Sequence, residues 1–296
     1  MNTSIPHESS AHGSTWAAWI KVAAAALDGA GLDEAQLKAE WLVAHAADCR
    51  RLELALRQDE TAGPDAEQVI RAGIARLLER EPLQYVLGTA DFMGHLLRVD
   101  RRVLIPRPET EQLVEMVLTD PELQRVVRPR VADVGTGSGC IAIALAADRP
   151  DADLVAIDSS QDALDLAREN ARRIGVESRI EFRRGDLLGG VEKGSLDAVV
   201  SNPPYVTTQE WQRLDPEVRL FEPGQALDGG VDGLDVIRRL VTQAVETLRA
   251  GGRLFVEIGE GQGAAAKALT EAAGFMDVGV RRDLSGQDRM LFARKT

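Results

Sequence analysis

The sequence predicts an α/β protein: a seven-stranded, mostly parallel sheet, preceded by a small helical domain and a β-hairpin linker. Three observations predict it. From Arg107 onward, strand-like apolar runs alternate with helix-periodic segments, the pattern of a parallel sheet covered on both faces. The last two strand candidates are joined only by Ser285-Gly286-Gln287, so they pair antiparallel at one edge. The segment before Tyr85 is helical in period and holds three of the four tryptophans, Trp16, Trp19 and Trp41.

The elements follow in order. Ser14 or Thr15 caps a helix that runs through the alanine-rich stretch to Leu27 and stops near Gly29 and Gly31. Asp33 caps a second, in which Leu37, Trp41 and Ala44 recur at helical spacing. Pro64-Asp65 opens another, with Ile70, Ile74 and Leu77 on one face, and the Glu81-Pro82 step ends it. The tryptophans argue that residues 1–84 have their own core and form a module that recognises a partner; the plainer alternative is a cap on the larger domain. Residues 85–108 read as the hairpin linker, punctuated by Gly88 and Gly94, with LLRVD and RVLIP as its extended runs. Residues 109–296 hold the sheet. Its strand candidates are 130–134, 153–158, 179–185, 196–201, 252–258, 277–283 and 289–295; its helices are 140–147, 161–174, 236–248 and 263–273.

Composition narrows the function. Hydrophobic residues are 44% and charged residues 28%, so the 296-residue chain can bury a large core. Lys plus Arg number 35 against 47 Asp plus Glu, a formal net charge of −12. That is a poor footprint for gripping a long phosphate track, and no nucleic-acid partner is expected. Cys49 and Cys140 fall in different domains, which argues against a disulfide framework. His7, His12, His45 and His95 are scattered without Cys partners at ligand spacing, so no metal site is expected. No apolar run reaches membrane length, and the polar start MNTSIPHESSAHGST has no signal-like basic and apolar blocks. The expectation is a cytoplasmic protein with a frayed N-terminal tail and no membrane contact.

The first sheet strand runs into Asp133-Val134-Gly135-Thr136-Gly137-Ser138-Gly139-Cys140. Glycines let a backbone turn sharply and approach a ligand closely. A dinucleotide fingerprint would want glycine where Cys140 stands. The spacing D-x-G-x-G-x-G instead resembles the S-adenosylmethionine loop of Rossmann-like class I methyltransferases. Asp158 ends the second strand, where an acid can accept from both ribose hydroxyls. Asp186 follows the third, placed to accept from the adenine amino group, with Leu187 against the ring.

The fourth strand ends in Ser201-Asn202-Pro203-Pro204-Tyr205. Methyl transfer to an amide or aromatic amine is difficult because the nitrogen lone pair is delocalised. An enzyme must hold both N–H groups on acceptors and aim the lone pair at the methyl. The Asn202 side-chain carbonyl can accept one N–H and the Pro203 backbone carbonyl the other. The prolines stiffen the loop, so the acceptors are preorganised, and Tyr205 can stack on the planar group. Asn202, Pro203, Pro204 and Tyr205 are thus the candidate substrate-binding residues, with Asn202, Pro203 and Tyr205 as the catalytic set. Glutamine amide, adenine N6 and cytosine N4 all satisfy this chemistry.

Together these residues resemble the bacterial peptide chain release factor N5-glutamine methyltransferase family. The resemblance covers most of the chain. It includes Glu81-Pro82-Leu83-Gln84-Tyr85, Leu87-Gly88, the string Leu104-Ile-Pro-Arg-Pro-Glu-Thr-Glu111, the glycine loop and Asn202 to Tyr205. Glu222-Pro223, Ala226-Leu227 and Asp232-Gly233-Leu234 complete it. It implies S-adenosylmethionine as cofactor, held by Gly135 to Gly139, Asp158, Leu187 and Asn202. The family often has an aromatic residue at the position of Leu187. The implied substrate is the glutamine of a Gly-Gly-Gln loop in class I release factors, contacted also by the N-terminal helical domain. Three other readings compete: a ribosomal-protein glutamine methyltransferase, a nucleic-acid adenine-N6 methyltransferase, and a catalytically silent scaffold. The chain is expected to be a monomer, since no apolar surface stripe stands out.

Overall fold

A computed structural model describes residues 13–296, so the polar tail with His7 and His12 lies outside the described residues. The chain divides into two compact units, Met1–Leu87 and Gly88–Thr296. The expected break at 84 falls inside a short helix, and the hairpin belongs to the second unit.

The first unit consists of α1 (Trp16–Gly29), α2 (Ala35–Ala46), α3 (Arg51–Leu54), α4 (Pro64–Leu78) and α5 (Leu83–Leu87). The Thr15 hydroxyl caps α1 by accepting from Ala18 N at 3.3 Å. Pro64 occupies the first turn of α4, whose Ile70, Ile74 and Leu77 are buried with Trp16, Trp19 and Leu42. Two expectations for α2 fail. Its N-cap is Glu34, in left-handed conformation at φ 53°, and no side chain caps it, so Asp33 has no such role. Its buried stripe is Ala39, Leu42, Val43 and Ala44, while Trp41 is 42% exposed beneath the Arg51 guanidinium. The run offers more apolar residues than one stripe can bury, and α4 selects among them. Gly73 leaves room for Leu42, whose methyl lies 2.3 Å from where a Cβ would stand. Arg76 organises the Glu81–Tyr85 motif: it holds Glu81 through two hydrogen bonds of 2.7 and 2.8 Å and donates to the Tyr85 carbonyl at 2.9 Å.

The second unit opens with β1 (Thr89–Phe92) and β2 (His95–Arg98). The hairpin is real, but RVLIP is not one of its strands. Met93 and Gly94 both have positive φ, the two-residue turn that favours a tight hairpin, and so β2 pairs back onto Thr89–Phe92. Then come α6 (Pro108–Thr119), α7 (Pro121–Gln124), β3 (Arg130–Val134), α8 (Cys140–Asp148), β4 (Asp153–Asp158), α9 (Gln161–Ile174) and β5 (Ile180–Arg184). β6 (Leu196–Ser201), α10 (Thr208–Trp211), α11 (Pro216–Phe221), α12 (Asp235–Thr247), β7 (Leu248–Glu257), α13 (Gly263–Ala272), β8 (Phe275–Arg282) and β9 (Asp288–Lys295) complete it.

The seven strands lie in the order β5-β4-β3-β6-β7-β9-β8. The first five in that row are parallel; β9 is antiparallel to both β7 and β8. Alternate residues feed two cores. Ala198 and Val200 of β6 pack with α6 and α8, whereas Val199 packs with α12. From β3 the chain first moves outward to β4 and β5, then returns to place β6 on the other side of β3. That reversal opens a crevice beyond the carboxyl ends of β3 and β6, where open α/β sheets bind ligands.

Candidate active site

The crevice is a cleft lined by the ends of four strands. Gly135, Thr136 and Gly137 follow β3, Asp158 ends β4, Asp186 and Leu187 follow β5, and Asn202 and Pro204 follow β6. The facing wall includes Pro106, Arg107 and Thr110. Gly135, Gly137 and Gly139 have φ of 75°, 53° and 83°, a region that suits glycine and strains other residues. At Gly139 a Cβ would also stand 3.0 Å from Ile143 and 3.1 Å from Ala167. Ser138 and Gly139 do not line the cleft; they shape the turn into α8.

The carboxylates differ in state. Asp133 is fully buried, and burial pushes its carboxyl up to about 7, against the Thr136 hydroxyl and Ala142 amide that donate to Oδ2 at 2.6 and 3.0 Å. Its Oδ1 is buried without a partner among the described residues. Asp158 accepts from Gly137 N and Ser160 N, one on each oxygen at 2.9 Å, which leaves further lone pairs on the cleft side. Asp186 is ion-paired with Arg239, which also lines the cleft. Leu187 has φ 53°, so the turn that presents it is left-handed. Burial pushes the Cys140 thiol up to about 12, which keeps it protonated and unreactive. Among the described residues no group of three or more His, Cys, Asp and Glu is placed to hold a metal. A glycine-rich turn, a ribose-height carboxylate and an unpartnered buried oxygen fit a cationic nucleoside cofactor such as S-adenosylmethionine.

Asn202 sits at the cleft mouth of β6. Its Nδ2 donates to Thr110 Oγ1 at 3.0 Å, and that hydroxyl donates to Glu257 Oε2 at 2.7 Å. Tyr205 donates its phenol hydrogen to Glu257 Oε1 at 3.1 Å. Neither Asn202 Oδ1 nor the Pro203 carbonyl accepts a hydrogen bond among the described residues. Pro203 and Tyr205 do not line the cleft; Asn202 and Pro204 do. Burial pushes the Glu257 carboxyl above its ordinary value, opposed by the Thr110 and Tyr205 hydroxyls and by Arg289. Burial and the Glu257 charge likewise raise the Tyr205 phenol.

Several residues here escaped sequence reasoning. Glu257 stood unremarked inside an apolar strand, where a lone acid between Val256 and Ile258 was the available signal, and Thr110 was quoted only as part of the Leu104–Glu111 string, without a role. Glu222, named from sequence only beside Pro223 and given no role there, accepts from Ile105 N at 3.0 Å and from Arg107 at 2.5 Å, which clamps that string to the cleft wall. Asn170 of α9, fully buried, bonds the Arg98 amide and carbonyl and the Ser138 carbonyl, tying the hairpin to the glycine loop. Arg239 had no sequence signal.

Fold and cleft together define a Rossmann-like methyltransferase that uses S-adenosylmethionine. Comparison with known proteins narrows the class. Residues 110–222 match the family described as Methyltransferase small domain, and residues 18–88 match the PrmC N-terminal domain. The Release factor glutamine methyltransferase of Cereibacter sphaeroides is 43% identical, over 93% of this chain and 96% of its own length. That of Deinococcus radiodurans is 42% identical, over 92% and 96%. The chain belongs to the release factor glutamine methyltransferase family. A solved methyltransferase from Pyrococcus furiosus is similar at TM-score 0.51 and 17% identity, over 75% of this chain and 96% of that one, which speaks for the fold alone.

Proposed function

We propose that this chain transfers the methyl group of S-adenosylmethionine to the side-chain N5 amide nitrogen of the glutamine in the Gly-Gly-Gln loop of class I peptide chain release factors. The observation that carries the reading is Asn202: it stands beside the glycine loop with its amide nitrogen anchored and its Oδ1 unengaged. Bound at the glycine loop, S-adenosylmethionine supplies an electrophilic methyl group on a good leaving group.

The chain's residues do the rest by position. Gly135 to Gly139 form the turn that would hold the cofactor, where Asp158 would accept from its ribose and Asp186 and Leu187 would hold its adenine. Asn202 Oδ1 accepts one substrate N–H and the Pro203 carbonyl the other, which fixes the amide plane and turns its lone pair toward the methyl. Pro204 keeps that loop stiff. Tyr205, hydrogen-bonded to Glu257, anchors it. No strong base is needed before transfer, since the proton is lost once the nitrogen has become cationic. The N-terminal helical unit contacts the body of the release factor. The enzyme works as a cytoplasmic monomer, away from nucleic acid and membranes; among the described residues no helix is long and apolar enough to cross a bilayer.

Replacing Asn202 tests the assignment. Asn202→Ala should lower kcat on a release factor by about 100-fold, the usual loss on removing one preorganised partner of the transition state. Cofactor affinity, followed by calorimetry, separates the two roles of Asn202, which also lines the cofactor cleft: the loss in kcat at saturating cofactor is the part that belongs to the substrate amide. Full transfer activity in the variant would overturn the role given to Asn202.

A further inference from the structure

Amide transfer as read above needs Asn202 to offer an oxygen, yet a side-chain amide fits its space in either of two orientations. The choice is made outside the Asn202–Tyr205 loop. Thr110 Oγ1 has one hydrogen, and it goes to Glu257 Oε2 at 2.7 Å. Toward Asn202, 3.0 Å away, the hydroxyl therefore has only a lone pair to offer. The amide must turn Nδ2 to Thr110, and Oδ1 is left for the substrate.

Glu257 ends β7, the strand parallel to and paired with β6, so its side chain emerges beside the start of the loop. It is fully buried, an expensive place for a carboxylate that a leucine would fill more cheaply. Its second oxygen takes the Tyr205 hydroxyl, so one acid holds both ends of the loop. Polar groups from several elements face it, among them the Cys140 thiol at the start of α8. Thr110 and Tyr205 are its donors, Arg289 is the positive charge nearby, and Glu109 is the opposing negative one. Arg289 lies 6.0 Å from the Tyr205 ring centre and is held by the Ile258 carbonyl and Asp283.

We propose that Glu257, acting through Thr110, is a positioning residue: it sets the direction of the hydrogen bonds in the Glu257–Thr110–Asn202 chain, and so presents Asn202 Oδ1 to the N–H of the amide being methylated. The proposal rests on the function given above. A hydroxyl that received its hydrogen bond from position 257 would instead donate to Asn202 and occupy the oxygen.

The test compares kcat, KM for the release factor and S-adenosylmethionine affinity in Thr110→Val, Thr110→Ser, Glu257→Gln and the Val/Gln double variant. Thr110→Val removes the hydroxyl at constant shape, and it should lower kcat by about 10- to 100-fold with cofactor affinity far less affected, while the melting temperature falls because Glu257 Oε2 and Asn202 Nδ2 each lose a buried partner. Thr110→Ser should restore kcat to within about threefold of wild type, which a purely packing role for the threonine methyl would not do. Because Glu257 acts through Thr110, Glu257→Gln should add little to Thr110→Val. Should Glu257→Gln fail to fold, the Val and Ser pair decides alone. Equal kcat in wild type and Thr110→Val, or losses that multiply in the double variant, would overturn the relay. A wild-type protein that transfers no methyl to the release factor would overturn the function itself and the relay with it.

Discussion

Asp133 places a buried carboxyl under the glycine loop, and its titration should be visible in the stability of the whole protein. Burial raises the folded carboxyl to about 7, whereas an unfolded aspartate titrates near its ordinary 3.8. Below the lower value both states are protonated and ionisation costs nothing. Between the two, the native state keeps a proton that the unfolded state has lost, so stability falls as pH rises, by on the order of 1 kcal/mol per pH unit. Above about 7 the loss is complete. Asp133→Asn has no such proton. The melting temperature of the wild type should therefore drop relative to the variant between about pH 5.5 and about pH 7, then run parallel to it. A gap that stays constant across that range, or that closes as pH rises, would contradict the assignment. At this scale the sequence named the candidate residues and left out what holds them. Asn202 was legible because Asn-Pro-Pro-Tyr is a rare string at a strand end. Glu257 and Asn170 were not, and Thr110 and Glu222 entered only as members of longer strings without a role, because each is an ordinary residue inside a helix, strand or loop, and only folding brings it beside its partner.

Among the elements, strand and helix periodicity was read almost to the residue from β3 to α9, where glycines and caps mark each boundary. The hairpin shows the limit: LLRVD and RVLIP are equally strand-like, and the Met93-Gly94 turn decides which one pairs. In α2, propensity and spacing could not choose between two apolar stripes, and the close approach at Gly73 chose. Asn170 joins three elements, α9, the hairpin and the glycine loop, through three hydrogen bonds of 2.7, 2.9 and 3.0 Å. Asn170→Ala leaves three buried or part-buried backbone groups without that partner. The expected cost is about 2–4 kcal/mol in urea unfolding, together with weaker S-adenosylmethionine binding, because the turn at Ser138 loses its anchor. Unfolding shifted by less than about 1 kcal/mol, with cofactor affinity intact, would show that the turn needs no such tie.

The whole molecule joins a helical unit with its own tryptophan-containing core to a sheet unit in which the strand-order reversal creates the cleft. That reversal brings the glycine loop after β3 and the Asn202 loop after β6 to neighbouring strand ends, a juxtaposition sealed by the Ser201 hydroxyl donating to the Val134 carbonyl at 2.7 Å. A net charge of −12 favours a protein substrate over a polyphosphate one. The direct test offers labelled S-adenosylmethionine to the purified protein with a class I release factor, its Gln→Ala variant in the Gly-Gly-Gln loop, and duplex DNA. Label on the release factor alone, absent from the variant, is the predicted result. Label on DNA, or equal label on the release factor and its variant, would contradict transfer to that glutamine.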